Sequence, residues 1–130
     1  MTIVPHRSIL VIEDEPMLAM DLEASLSAAG FRVMGPAGTT ADALAILRDE
    51  HPHLAVLDLN LGNEMVFVLF AQLEKVGTPF IILSGHSRGI VPEHYRNRPF
   101  LQKPYQMPAL LRMVHDVLNE VDVARVRKAC

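Results

Sequence analysis

Leu54-Ala55-Val56-Leu57-Asp58-Leu59-Asn60 sets four apolar residues in a row and then a carboxylate. A run that is apolar on both faces suits a strand buried inside a parallel sheet, because an antiparallel strand with one wet face alternates instead. Working outward, similar short runs stand at Ile9-Leu10-Val11-Ile12, Arg32-Val33-Met34, Phe80-Ile81-Ile82-Leu83 and Phe100-Leu101. Helical spacing fills the gaps. Leu18, Leu22, Leu26 and Ala29 recur every three or four residues, and Gly30 follows as a stop. Thr39 or Thr40 caps a second helix through Ala41, Leu44, Ala45 and Leu47, which His51-Pro52 ends, since proline disfavours helix in the residue before it. A third helix is expected from Glu64 to Lys75 and a last one from Pro108 to about Val121, with Pro108 in a first turn where its missing N–H costs nothing.

Strands alternating with helices at this spacing predict an α/β fold, a doubly wound five-stranded parallel sheet in a three-layer sandwich. The stretch Ser87 to Pro99 interrupts the pattern with Gly89, Pro92 and Pro99, so an irregular fourth helix or a loop is expected there. The tail 122–130 extends the last helix or frays.

Composition narrows the class. The chain has 130 residues, 50% of them hydrophobic and 21% charged, with a formal net charge of −3. That length is one domain of ordinary size. The apolar half supports a core without disulfides or a structural metal and excludes disorder. The charge lacks the basic excess of nucleic-acid-binding domains, so no nucleic-acid partner is expected. Cys130 is the single cysteine, which leaves no disulfide within the chain. No apolar stretch approaches the ~20 residues of a membrane span. The expected location is the cytoplasm, away from membranes.

In such sheets ligands bind beyond the carboxyl ends of the strands. Glu13-Asp14 follow the first strand, Asp58 the third, Ser84 the fourth and Lys103-Pro104 the fifth. Three carboxylates crowded together raise one another's pKa unless a cation compensates. Mg²⁺ takes one or two carboxylates directly and keeps several waters. With a cation, a lysine and a hydroxyl in one cleft, the missing component is a phosphoryl group, and a carboxylate can attack phosphorus in line. Asp58, on the central strand, is the candidate nucleophile.

As a set, Glu13-Asp14, Asp58, Ser84 and Lys103-Pro104-Tyr105 resemble the receiver domain of bacterial two-component response regulators, over roughly residues 7 to 120. The resemblance implies a flavodoxin-like receiver domain over 1–121. It implies that Asp58 accepts a phosphoryl group from a sensor histidine kinase or phosphotransfer protein. Mg²⁺ (or Mn²⁺) would sit on Glu13, Asp14, Asp58 and the backbone carbonyl of Asn60. Lys103 would bind a phosphoryl oxygen, Ser84 would swing toward the phosphoryl group, and Phe100 would be the switch aromatic that turns inward with it. Lys103-Pro104 would be a cis peptide, open to X-Pro bonds at modest cost. Such a chain is a phosphoacceptor with at most slow self-dephosphorylation, not an enzyme. It would be a monomer or weak dimer that signals to an unidentified downstream protein or relays the phosphoryl group.

Two departures stand out. Leu59-Asn60-Leu61-Gly62-Asn63-Glu64 replaces the family's methionine-proline pair and later glycine. Pro79-Phe80 with Ser84-Gly85-His86 resembles an atypical receiver group of alphaproteobacteria.

Each residue taken singly has a plainer reading. Glu13 or Asp14 can cap the first helix. Asp58 can be a turn acid, Ser84 a turn residue and Lys103 a solvated lysine. Their joint placement at four strand ends favours one site. The scattered histidines contain no i, i+4 helical pair, which argues against zinc, and His86 reads as a surface residue. Met65 to Phe70 is apolar all round, which suggests packing or a partner. Arg88, Arg96 and Arg98 read as a solvated face or a docking surface. Two other functions stay open. One is a haloacid-dehalogenase-like phosphatase using Asp58-Leu59-Asn60, although such enzymes are longer. The other is a receiver-like binding module that is never phosphorylated.

Overall fold

The computed structural model describes residues 7–61 and 66–129. These form a five-stranded sheet in the order β2-β1-β3-β4-β5, parallel throughout. The chain runs β1 (Ser8–Ile12), α1 (Pro16–Ala28), β2 (Arg32–Ala37), α2 (Thr40–Asp49), β3 (Leu54–Asp58), α3 (Phe67–Val76), β4 (Phe80–Ser84), β5 (Phe100–Gln102) and α4 (Met107–Ala129). Between β4 and β5 lie two short 3₁₀ turns, Arg88–Ile90 and Glu93–Tyr95. The doubly wound α/β expectation is met, with helices on both faces.

Alternation along the strands sorts the core in two. Leu10, Ile12, Ala55, Leu57, Phe80 and Ile82 face α2, α3 and the 3₁₀ segment, where Tyr95 and Phe100 pack on them. Ile9, Val11, Leu54, Val56, Ile81 and Leu83 face α1 and α4, meeting Leu22, Leu26, Leu110 and Val114. Asp58 follows the alternation of Leu54 and Val56, whereas Ser84 follows that of Phe80 and Ile82. The two side chains therefore leave the sheet edge from opposite faces.

Several boundaries differ from the sequence reading for local reasons. α2 closes at Asp49, because Glu50 is already extended (φ −132°), two residues before Pro52. Of the residues expected to open the third helix, Glu64 and Met65 lie outside the described residues, and α3 is helical from Phe67. It stops at Gly77, whose φ of +78° is left-handed. α4 starts at Met107, one residue before Pro108, and runs beyond Val121 to Ala129.

β2 continues past Met34 through a cis Gly35-Pro36 peptide to Ala37, with a register shift against β1. A Cβ on Gly35 (φ +91°) would lie 2.7 Å from the Ala37 amide nitrogen and 2.9 Å from the Val11 carbonyl oxygen, so only glycine fits. This bend lets the Glu13 amide donate to the Ala37 carbonyl at 2.9 Å, fixing the backbone beyond β1. Among the described residues no helix is long and apolar enough to cross a membrane.

Candidate functional site

The carboxyl edge is built from four strand ends. Three acids follow β1, and each could cap α1. Glu15 does so, accepting from the amides of Met17 (3.3 Å) and Leu18 (2.8 Å). Glu13 and Asp14 are thereby left to the cleft. Glu13 is 2% exposed and Asp58 3% exposed, while Asp14 stands at the surface. One carboxylate oxygen from each of Glu13, Asp14 and Asp58 lies within 4.8 Å of the other two.

Lys103 enters from the turn after β5. Its amide donates to the Ser84 carbonyl at 2.7 Å, and Lys103-Pro104 is cis, as expected. The Lys103 Nζ donates to Asp58 Oδ2 at 2.5 Å and lies 3.6 Å from Glu13 Oε2. Asp58 Oδ1 accepts from the Asn60 amide at 2.9 Å, a local Asx turn that aims the carboxylate. Glu13 Oε1 accepts from the Glu15 amide at 3.1 Å.

The charges are unbalanced. Glu13 is pushed up to about 7, first by burial and then by the neighbouring Asp58 carboxylate; Lys103 opposes this only weakly. Glu13 Oε2 is buried with no hydrogen-bond partner among the described residues. A buried oxygen without a partner is costly unless something fills the gap. Oxygen donors from three acids, one of them unsatisfied, fit a hard divalent cation, so the cluster is positioned to coordinate one.

Ser84 is 1% exposed, and its Oγ accepts from the His86 amide at 2.9 Å. Phe100 is half-buried and sits with Tyr95 on the α3 face. The structure thus brings Glu13, Asp14, Asp58 and Lys103 together, places Ser84 at the adjacent strand end, and leaves Phe100 three residues before the lysine. His86 is exposed, as expected.

Two features were not expected. The Tyr105 hydroxyl is buried without a partner among the described residues. Burial, then the carboxylates of Glu13, Asp58 and Asp21, push it up to about 12. It borders a cleft of about 480 Å³ with Leu18, Asp21, Lys103, Pro104 and Met107.

The second lies in the arginines of the 85–99 segment: Arg88 and Arg96 are exposed, as expected, and they also bind the segment's own backbone. Arg88 donates to the carbonyls of Arg96 (2.7 Å) and Arg98 (2.8 Å). Arg96 donates to those of Val91 (2.8 Å) and Gly89 (3.2 Å). Arg98 pairs with Glu74 of α3 at 2.5 Å.

Residues 9–115 match the model of the response regulator receiver domain. The phyllosphere-induced regulator PhyR of Methylorubrum extorquens is 30% identical over 125 residues, 93% of this chain, which spans 47% of PhyR. The transcriptional regulatory protein GlrR of Escherichia coli K12 is 31% identical over 119 residues, 86% of this chain, which spans 26% of GlrR. This chain therefore covers less than half of either relative. The solution structure of SdrG from Sphingomonas melonis Fr1 is similar at 34% identity with a TM-score of 0.76, covering 89% of this chain and 99% of that one. A receiver domain protein of Methanospirillum hungatei, 22% identical with a TM-score of 0.83 over 92% of this chain and 99% of its own, shares the fold. The acidic triad suits Mg²⁺-dependent phosphorylation of an aspartate, typical of two-component signalling, in a phosphoacceptor rather than a classical enzyme. The chain belongs to the response regulator receiver domain family.

Proposed function

We propose that Asp58 is the phosphoacceptor and that its phosphoryl group comes from a sensor histidine kinase or phosphotransfer protein. The observation that carries this is the juxtaposition of a buried Asp58, held at 2.5 Å by Lys103, with a buried Glu13 oxygen that accepts no hydrogen bond and has Lys103 only at 3.6 Å. Glu13, Asp14, Asp58 and the Asn60 carbonyl would hold Mg²⁺ or Mn²⁺. Bound there, the cation supplies positive charge to the phosphoryl oxygens.

The chain's own residues supply the rest. The Asn60 amide and Lys103 fix the Asp58 carboxylate in one orientation, so that a free lone pair faces the incoming phosphorus. The new bond joins phosphorus to an Asp58 oxygen, and the bond from phosphorus to the donor's imidazole nitrogen breaks. Lys103, released from its direct bond to the carboxylate, neutralises a phosphoryl oxygen. The added charge and acceptor oxygens reward a conformation in which Ser84 Oγ turns to them and leaves the His86 amide. Phe100 then moves into the space behind it, and the altered surface is read by another protein. The likeness to SdrG, whose BeF₃-activated conformation is known and which is 35% identical, supports using beryllofluoride as the phosphoryl mimic here.

Incubation with a small phosphodonor such as acetyl phosphate, or with the cognate kinase, is expected to add one acid-labile phosphoryl group per chain. Incorporation should require a divalent cation and vanish in Asp58→Ala. No incorporation from any donor, or full retention in Asp58→Ala, would overturn the assignment.

A further inference from the structure

The 85–99 segment lacks the i→i−4 hydrogen bonds of an α-helix, and its order comes from elsewhere. At its start, the His86 amide donates to Ser84 Oγ. At its end, the Arg88 side chain reaches forward to the carbonyls of Arg96 and Arg98. The same guanidinium lies over the Phe100 ring, 5.1 Å from its centroid. One side chain therefore touches both the end of the segment and the aromatic beyond it.

We propose that Arg88 is a positioning residue that ties Phe100 to the segment, so that the segment is held at both ends by groups that move together. The Arg88 guanidinium lies over the Phe100 ring, and that ring packs against the buried cluster that Tyr95 also joins. A single nitrogen, Nη1, donates to both carbonyls, and the planar guanidinium that carries it cannot follow a turning ring and keep both bonds. Inward movement of Phe100 removes the surface on which Arg88 rests. Departure of Ser84 Oγ removes the acceptor of the His86 amide. Both ends are then released in one event, and the segment exposes the carbonyls that Arg88 had covered. The trigger rests on the phosphoacceptor reading above; the clip itself is a property of the free protein.

The test is amide hydrogen exchange on the full chain, comparing the parent with Arg88→Gln and Arg88→Lys, each with and without Mg²⁺ and beryllofluoride. The reporting amides are those of Tyr95, Arg96 and Arg98, which donate to the carbonyls of Pro92, Glu93 and Tyr95. Without beryllofluoride, Arg88→Gln is expected to speed their exchange about tenfold while α1 and α4 stay protected. Arg88→Lys, which keeps a cation and N–H donors on a flexible stem, should recover part of the protection. In the parent, beryllofluoride should speed the same amides, and in Arg88→Gln it should add little. Unchanged exchange in Arg88→Gln overturns the clip, as does equal loss in the lysine variant. A ¹⁹F signal of bound beryllofluoride without faster exchange at these amides overturns the coupling. Absence of any such signal overturns the phosphoacceptor reading and the trigger with it, while the comparison in the free protein still decides the role of Arg88.

Discussion

The two faces of the sheet are covered by different means. On one, α1 and α4 press Leu22, Leu26, Leu110 and Val114 onto Ile9, Val11, Val56 and Ile81, and these side chains are all buried. On the other, α2 and α3 do the same over β1 and β3, but the place beside β4 and β5 goes to two 3₁₀ turns stapled by arginine side chains. Apolar burial is non-directional, and its strength grows with area. A surface hydrogen bond exchanges readily with water and contributes about 1 kcal/mol net. One face is therefore built to stay, and the corner of the other is built to yield. The difference places the weakly held corner next to Ser84 and Phe100, beside the strand ends that carry Glu13 and Asp58.

The largest expected effect breaks the first face. Leu22 is fully buried between α1 and the sheet. Leu22→Ala is expected to lower the unfolding free energy by about 2–5 kcal/mol, read from the urea midpoint, with loss shared by the whole chain. A drop confined to α1, or one below about 1 kcal/mol, would show that the α1 and α4 face is not the cooperative core.

The second effect belongs to the edge where the faces meet. Glu13 titrates near 7 in the fold, against an ordinary value of 4.5. Between those two values the folded protein binds more protons than the unfolded chain, so stability falls as pH rises through that window and levels off above it. Without a divalent cation, the parent should lose on the order of 2 kcal/mol between about pH 5 and pH 8. Glu13→Gln should flatten that slope and be the more stable protein at the alkaline end. Added Mg²⁺ should restore the parent and leave the variant unmoved. Denaturation midpoints across the pH range check each sign, and a parent curve that rises with pH would contradict the account.

What could be read from the residues follows the same division. The five strand runs and the four polar strand ends are legible because each depends on side-chain type at a spacing set by the backbone, while the cis Lys103-Pro104 peptide follows from the family resemblance. The arginine clips are not legible. Arg88 and Arg96 act on backbone carbonyls, which every residue carries, so nothing in the letters marks their partners. Glu13, Asp14 and Glu15 are three adjacent acids, and only the geometry of the turn assigns the cap to Glu15 and frees the other two. β2 outruns its apolar stretch, which stops at Met34, because Gly35 continues the strand through a backbone shape closed to other residues. Tyr105 stood in the motif, but its partnerless hydroxyl depends on the surrounding fold.

The smallest expected effect sharpens the second face. Glu74 on α3 pairs with Arg98 at 2.5 Å and with His94 at 3.0 Å, and it is the outer anchor of the segment. His94 first, then Arg98, holds its carboxyl below the usual 4.5. A carboxyl depressed in the fold stabilises above its unfolded value, and that contribution fades as pH falls through the folded one. All three groups are solvated, so the pair is screened and its effect on global stability is small. Glu74→Gln should therefore leave the urea midpoint nearly unchanged at high salt and lower it slightly at low salt. It should speed exchange at Tyr95 and Arg96 less than Arg88→Gln does, because α3 anchors the outside of the segment while Arg88 holds its end against Phe100. Equal or greater loss in Glu74→Gln would move the decisive contact from Phe100 to the α3 surface.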